Sequence, residues 1–304
     1  MEELINIINS FDKKRILLIG DTILDIYSYG RKVCKSSDSD AVEVEEDKIS
    51  VSFGGASLVA SNILELGGHV IFFSVIGNDE AAKYYDNFNH PKLEKHFLVD
   101  GNRSTTIKKR FWVGDKKLFQ ANFVDNRCIE PATEKKIVQE IKPFIKNIEV
   151  IVVLDAHHGL MTKNLIASLV SLAQKYQKPL YVDSQISHRP SNHHLYKGAD
   201  CLFLNQREAN AVNVHSLGVT NFIIKLGDQG SKAWFNNKRI RSKAYPVKAV
   251  DPCGAGDAFL AAFSLSNRDA VAESLTVTNT WAALSTTIRG TQPPKKQDLI
   301  KIYG

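Results

Sequence analysis

The sequence predicts an α/β protein with a mainly parallel central sheet, helices on both faces and a small β lid. Three observations carry this. Short apolar runs, Val150 to Leu154, Leu180 to Asp183, Cys201 to Leu204 and Phe222 to Leu226, alternate with segments of helical period. That is the pattern of strands buried on both faces of a parallel sheet. Asp155 and Asp183 each stand at the end of such a run, on the edge where these sheets bind ligands. Two stretches, 27–52 and 104–124, break the alternation and read as protruding strands.

Taken in order, Arg15 to Gly20 is an apolar run before Gly-Asp and reads as a buried first strand. Asp21 and Asp25 follow it; ligand contact and turn chemistry both account for them. From Tyr27 to Ser52, short strands carry Tyr29, Val33, Val42, Val44, Ile49 and Val51, and Asp38 to Asp47 is too acidic for a core. Gly54-Gly55-Ala56 opens an amphipathic helix with Leu58, Val59, Asn62, Ile63 and Leu66, ending at Gly67-Gly68. The glycine pair can bring backbone N–H groups against a substrate; Asn62 either joins it or packs between helices. Thr106, Lys108, Arg110 and Trp112, then Leu118, Gln120, Asn122 and Val124, alternate about Gly114-Asp115, a hairpin signal. Together these strands would form a lid that excludes water. Helices are expected over Thr133 to Asn147, Thr162 to Lys175, Ala209 to Val212 and Ala270 to Ile288. With no repeat and no linker, residues 1–304 are expected to form one domain with the lid inserted.

Of 304 residues, 43% are hydrophobic and 24% charged, and no apolar run reaches the length of a membrane span. Met1 to Ser10 lacks the basic-then-apolar order of a secretory signal, so a cytoplasmic protein is expected. Cys34, Cys128, Cys201 and Cys253 are scattered, without a zinc-like cluster. Cys253 is either a helix-start thiol of lowered pKa or a buried inert one. The net charge of +6 suits an anionic substrate. Lys and Arg are dispersed, so neither a nucleic-acid nor a membrane partner is expected.

The chemistry concentrates at Asp251-Pro252-Cys253-Gly254-Ala255-Gly256-Asp257-Ala258-Phe259, between a strand-like run and an apolar helix from Ala258 to Leu265. Gly254, Ala255 and Gly256 leave backbone open to a ligand, and a helix start offers unpaired N–H groups to an anion. Asp257, in the first turn, can accept a proton from a hydroxyl while those groups hold the charge on a phosphoryl group. An ordinary glycine turn with a first-turn carboxylate is the alternative. Asn205-Gln206-Arg207-Glu208 can order a water-bound Mg²⁺ or simply form a capping box. Gly227 to Gly230 is a turn by composition.

These nine residues resemble the second signature of the ribokinase/PfkB sugar-kinase family, D-T-x-G-A-G-D-x-F. The other motifs occur in that family's order from about Arg15 to Thr291. The resemblance implies a ribokinase-like fold and ATP-dependent phosphorylation of a sugar hydroxyl. Asp257 would be the base, and Gly254, Ala255 and Gly256 the anion hole. Asn205 and Glu208 resemble the N-x-x-E motif that tunes Mg²⁺ and phosphate binding, and Gly227 and Gly230 the nucleotide turn. Lys225 and Asn279 fall on the same nucleotide side. Gly54, Gly55 and Asn62 resemble the substrate-side signature, with Asp155 also on the sugar side. A monovalent ion, K⁺, beside Val250 and Asp251 is left open, as is a homodimer through the β lid. Gly20 to Tyr27 with Tyr29-Gly30 looks most like the heptose-phosphate kinases of the ADP-heptose pathway. That implies a heptose 7-phosphate substrate, Asp25 on a sugar hydroxyl, and Lys108 and Arg110 near its phosphate.

The chain departs from the pattern at Pro252, at Lys35 to Asp40, at Ser57-Leu58, at Ala156-His157-His158, and at Lys225, where Thr is common. A helix between Glu208 and Phe222 is missing, which implies an ATP pocket that is shallower or differently lined. Because phosphoryl transfer has a loose transition state, an ionised Asp257 of low pKa is expected to suffice. A non-catalytic relative that keeps the fold is the second reading; intact Gly254, Gly256 and Asp257 favour the enzyme.

Overall fold

The computed structural model describes residues 1–35, 42–186 and 190–304. The stretch Lys35 to Asp40 and the start of the acidic run Asp38 to Asp47 fall largely outside these. The strands are β1 (Arg15–Gly20), β2 (Thr22–Lys35), β3 (Val42–Gly55), β4 (His69–Ile76), β5 (Leu93–Val99), β6 (Ile107–Val113), β7 (Lys116–Phe123), β8 (Val150–Asp155), β9 (Leu180–Ser184), β10 (Cys201–Asn205), β11 (Asn221–Lys225), β12 (Ser231–Phe235) and β13 (Lys238–Ser242). The helices are α1 (Glu2–Ser10), α2 (Ala56–Glu65), α3 (Pro131–Ile141), α4 (Lys163–Lys175), α5 (Gln206–Ala211), α6 (Ala255–Leu265), α7 (Val271–Ser285) and α8 (Lys296–Tyr303).

The main sheet runs β13-β12-β11-β10-β9-β8-β1-β4-β5. It is parallel from β11 to β5, and β12 and β13 add an antiparallel edge. Strand β1 explains why its sequence is apolar throughout: Ile16 and Leu18 enter one core, Leu17 and Ile19 the other. Helices α1, α2, α6, α7 and α8 cover the first face, and α3 and α4 the second. Thr162 caps α4, its side chain accepting from the Leu165 N–H at 3.1 Å. Each fully buried Leu, Ile or Phe contributes about 1.5–3 kcal/mol by leaving water, so the two cores fix the sheet that holds the site.

The lid is a second sheet, β3-β2-β6-β7. Its register sorts two faces. Asp25 lies beside Lys108 and Tyr27 beside Arg110, all on one side. Ile49, Phe111 and Phe119 are aligned through Ser28 on the other. The hairpin about Gly114-Asp115 forms as expected.

Some boundaries differ from expectation. The helix expected over Thr133 to Asn147 is α3 followed by a separate 3-10 turn, Ile145–Asn147. Pro131 starts α3 early, where its missing N–H costs nothing. The run before Asp251 pairs with no strand among the described residues: Ala244, Tyr245, Pro246, Val247 and Ala249 line a cavity instead, and Pro246 could not donate to a ladder. Among the described residues no helix is long and apolar enough to cross a membrane.

Candidate active site

The site lies at the carboxyl ends of β9, β10 and β11, against the starts of α5 and α6. Helix α6 begins after Gly254, whose φ of 86° is left-handed; a Cβ there would stand 2.5 Å from Leu58 Cδ2. Both facts call for glycine. The Ala255 N–H donates to the Pro252 carbonyl at 3.3 Å. Among the described residues, the N–H groups of Gly254, Gly256 and Asp257 have no acceptor in the protein. Of the three amides expected to hold an anion, those of Gly254 and Gly256 are open, the Ala255 amide is used by the turn, and the Asp257 amide is open in its stead.

Asp257 is half-buried in this first turn, and its pKa is pushed up to about 7. Burial is the main cause and the Asp183 carboxylate adds to it, while Lys225 and Lys108 pull the other way. This corrects the expectation of a low-pKa carboxylate. A helix dipole contributes up to about 2 kcal/mol, less than the roughly 4 kcal/mol that a rise from 3.8 to about 7 represents. Burial also pushes the Cys253 thiol up, which removes the lowered-pKa reading.

A cavity of about 800 Å³ opens in front of Asp257, toward the upper end of the volumes of small-molecule sites. Asn205, Glu208, Lys225, Gly227, Gly230 and Asn279 all line it. Asn205 and Glu208 form the capping box: Asn205 Oδ1 accepts the Glu208 N–H at 2.8 Å and Glu208 Oε2 the Asn205 N–H at 2.7 Å. That box orients Glu208 toward the cavity. Gly227 and Gly230 turn with φ of 62° and 86°. Asn279 Nδ2 donates to Ser231 Oγ at 3.0 Å. Lys225 Nζ pairs with Asp183. Burial opposes its charge, but Asp183, Glu208 and Asp257 more than offset this and raise its pKa. Burial, then Asp183, raises the pKa of Glu208. Among the described residues no group of three or more His, Cys, Asp or Glu forms a metal cage. Glu208, which lines the cavity, could meet a magnesium ion that arrives on a nucleotide through water.

On the lid side, Asp25 is 2% exposed. Its Oδ1 accepts from Arg110 and its Oδ2 from Thr291 Oγ1 at 3.0 Å, and Thr291 meets Ser52 at 2.7 Å. A Cβ on Gly54 would clash with Asp25 Oδ2 at 2.2 Å. Gly55, with φ of 58°, lets α2 start against Asp21 O, which accepts the Ala56 N–H at 3.0 Å. Lys108 shares the Asp25 side of the lid and acts on Asp257 through its charge.

Three expectations are corrected, those for Asn62, Asp155 and Arg110. Asn62 is not at the substrate: it is 1% exposed, donating to Leu58 O and accepting the Trp281 indole N–H, each at 2.8 Å. Asp155 is consumed by a structural network, its Oδ2 accepting from Asn192, Tyr196 and Ser184 at 2.6, 2.8 and 3.2 Å. Arg110 is committed to Asp25 rather than held out for a phosphate. Asp251 braces the loop, accepting the Cys253 N–H at 3.0 Å and the Gly290 N–H at 3.1 Å.

Four residues were not singled out from the sequence for this site: Asp183, Ser52, Tyr27 and Thr291. Asp183 carried a signal, since it closes an apolar run in the sequence as Asp155 does. Register separates the two: Leu154 lies beside Asp183 and Asp155 beside Ser184, so the carboxylates point to opposite faces. Only Asp183 faces α6.

The sequence profile described as pfkB family carbohydrate kinase matches residues 13–298. The chain belongs to the pfkB family of carbohydrate kinases. It is 26% identical over 267 residues to the bifunctional protein HldE of a Nitratiruptor species, covering 82% of this chain and 56% of that protein. It is 26% identical over 316 residues to the bifunctional protein HldE of Trichlorobacter lovleyi, covering 94% and 62%. The chain thus spans little more than half the length of these relatives. The fold matches phosphofructokinase-2 from Escherichia coli in complex with substrates and products, with a TM-score of 0.77, 17% identity, and 95% and 98% of the two chains covered. It also matches the Arabidopsis thaliana ribokinase complexed with ribose and ATP, with a TM-score of 0.71, 18% identity, and the same coverage. The fold is ribokinase-like. Kinases of the pfkB family are phosphotransferases with an alcohol acceptor that use ATP with Mg²⁺.

Proposed function

We propose that this protein transfers the γ-phosphoryl group of ATP to a hydroxyl of a sugar phosphate, of the heptose 7-phosphate class. The observation that carries the reading is the place of Asp257. It stands with open amides at the head of the 800 Å³ cavity, and Asp25 and Lys108 act on it from the lid side. An alcohol held by Asp25 gives its proton to Asp257. The alcohol oxygen bonds to the γ-phosphorus as the bond to the β–γ bridging oxygen breaks, and ADP leaves with that electron pair. The amides of Gly254, Gly256 and Asp257 receive charge on the moving group. Magnesium, held through Glu208 and the phosphates, would supply further neutralisation.

The sugar-phosphate reading rests on the start Gly20 to Tyr27, on Lys108 beside Asp25, and on the +6 charge. The whole chain acts as one unit in this proposal, in the cytoplasm where ATP is available. The outer lid face, with Ile49, Phe119 and Phe123 each more than half exposed, supports a homodimer through the lid. A monovalent ion beside Asp251 belongs to the same proposal, tested by activity in K⁺ against its absence. ADP release from a panel of heptose, hexose and pentose phosphates, with the free sugars, tests the substrate class. Preference for a free sugar, or for no member of the panel, would refute it.

A further inference from the structure

We propose that Lys225 grips the terminal phosphate of the nucleotide, and that Asp183 holds its place until the nucleotide arrives. The inference rests on the nucleotide reading of the cavity and goes beyond it. Among the described residues the cavity is lined by four carboxylates, Asp183, Glu208, Asp228 and Asp257, and by one cationic side chain, Lys225. A triphosphate entering such a cavity meets net negative charge unless it captures that cation. Lys225 stands where capture matters. Its Nζ lies 3.3 Å from the point a Cβ on Gly256 would occupy, at the mouth of the open amides.

The partner is poised for exchange. Asp183, one residue before the end of β9, and Lys225, at the end of β11, stand on either side of β10 and point to the same face. Their side chains are 5% and 15% exposed, so neither charge could stay unpaired cheaply. An ammonium has three donors in no fixed plane and can turn from one oxygen anion to another. A phosphate at the α6 amides would repel Asp183 and attract Lys225, which drives the trade. As the γ-phosphoryl group leaves the bridging oxygen, an ammonium already at the cup stabilises the charge without reorganisation.

The test uses Asp183→Asn, Lys225→Met and the double variant, with calorimetric affinities for Mg·ATP and AMP, turnover, and unfolding midpoints. Asp183→Asn releases Lys225 and should tighten Mg·ATP by about tenfold, the effect of removing one like charge beside the phosphates, with AMP unchanged. Lys225→Met should weaken Mg·ATP relative to AMP and lower kcat by about 10²–10³-fold, the scale of one lost charge-stabilising donor. Because it also strands Asp183, the double variant is the control for folding. It should unfold near the wild-type midpoint yet keep the loss of ATP-over-AMP preference. Wild-type preference in the double variant, or weaker Mg·ATP binding in Asp183→Asn, overturns the proposal. Wild-type protein that binds no nucleotide overturns the reading beneath it as well, and is distinguished by the absence of AMP binding.

Discussion

Replacing Asp257 with Asn should remove catalysis and, above neutral pH, stabilise the fold. The carboxyl pKa is raised from 3.8 to about 7 chiefly by burial and then by Asp183. A carboxyl raised in the folded state favours folding while protonated, and that advantage is lost as pH rises from 3.8 through about 7. The full window corresponds to about 4 kcal/mol against the charged form. About half of it lies above pH ~5.5, and solvent at the cavity mouth screens part of the rest. The expected gain of Asp257→Asn over wild type therefore grows by about 1–2 kcal/mol between pH ~5.5 and ~8.5. Urea unfolding at the two pH values reads this directly. ADP release should fall at least ~100-fold, as for other lost acid–base groups, with sugar KM little changed. In the wild type, kcat/KM should fall as pH drops through about 7, where the base takes up its proton. Near-normal turnover in the variant, or an unchanged stability gap at the two pH values, would refute the reasoning.

Gly254→Ala places a Cβ 2.5 Å from Leu58 at a left-handed φ; a loss of about 1–3 kcal/mol is expected by thermal unfolding, together with lower kcat. Arg110→Leu strands the buried Asp25 carboxylate, which should cost about 3–5 kcal/mol in denaturant unfolding and raise the sugar KM. Asn62→Leu leaves the Trp281 indole N–H without its acceptor, which should cost about 1–3 kcal/mol while the sugar KM stays at the wild-type value; a raised KM would restore Asn62 to the substrate.

The strands of the main sheet were readable because burial on both faces makes β1, β8, β9 and β10 continuous apolar runs. The loop at Gly254 to Asp257 was readable because left-handed backbone, close approach and a first-turn carboxylate leave a local trace. Asn62 and Asp155 were not. Nothing near Asn62 in sequence announces Trp281, and the Asp155 network joins side chains up to 41 positions away. Lys225 and Asp183 are 42 apart and meet only because one strand lies between theirs. Helices α1 and α8 carried signals too short to stand alone; they take their shape by packing with α7 and each other. The rise in the Asp257 pKa is likewise a property of assembled neighbours, not of the first turn.

Strands β2 and β3 run unbroken from the main body into the lid, each 14 residues long, or about 45 Å. Asp25 and Gly54 sit near the root of this beam, while the bulge at Tyr29/Gly30 lies farther along it. A load on the outer half would thus be levered toward Asp25 and Gly54, the proposed acceptor contacts, with the bulge nearer the root, at Tyr29/Gly30, as the pivot that sets how much arrives. A Cβ on Gly30 would stand 2.3 Å from the Glu45 carbonyl oxygen of the neighbouring strand, so any other residue at that pivot would push the two strands apart and weaken the transmission.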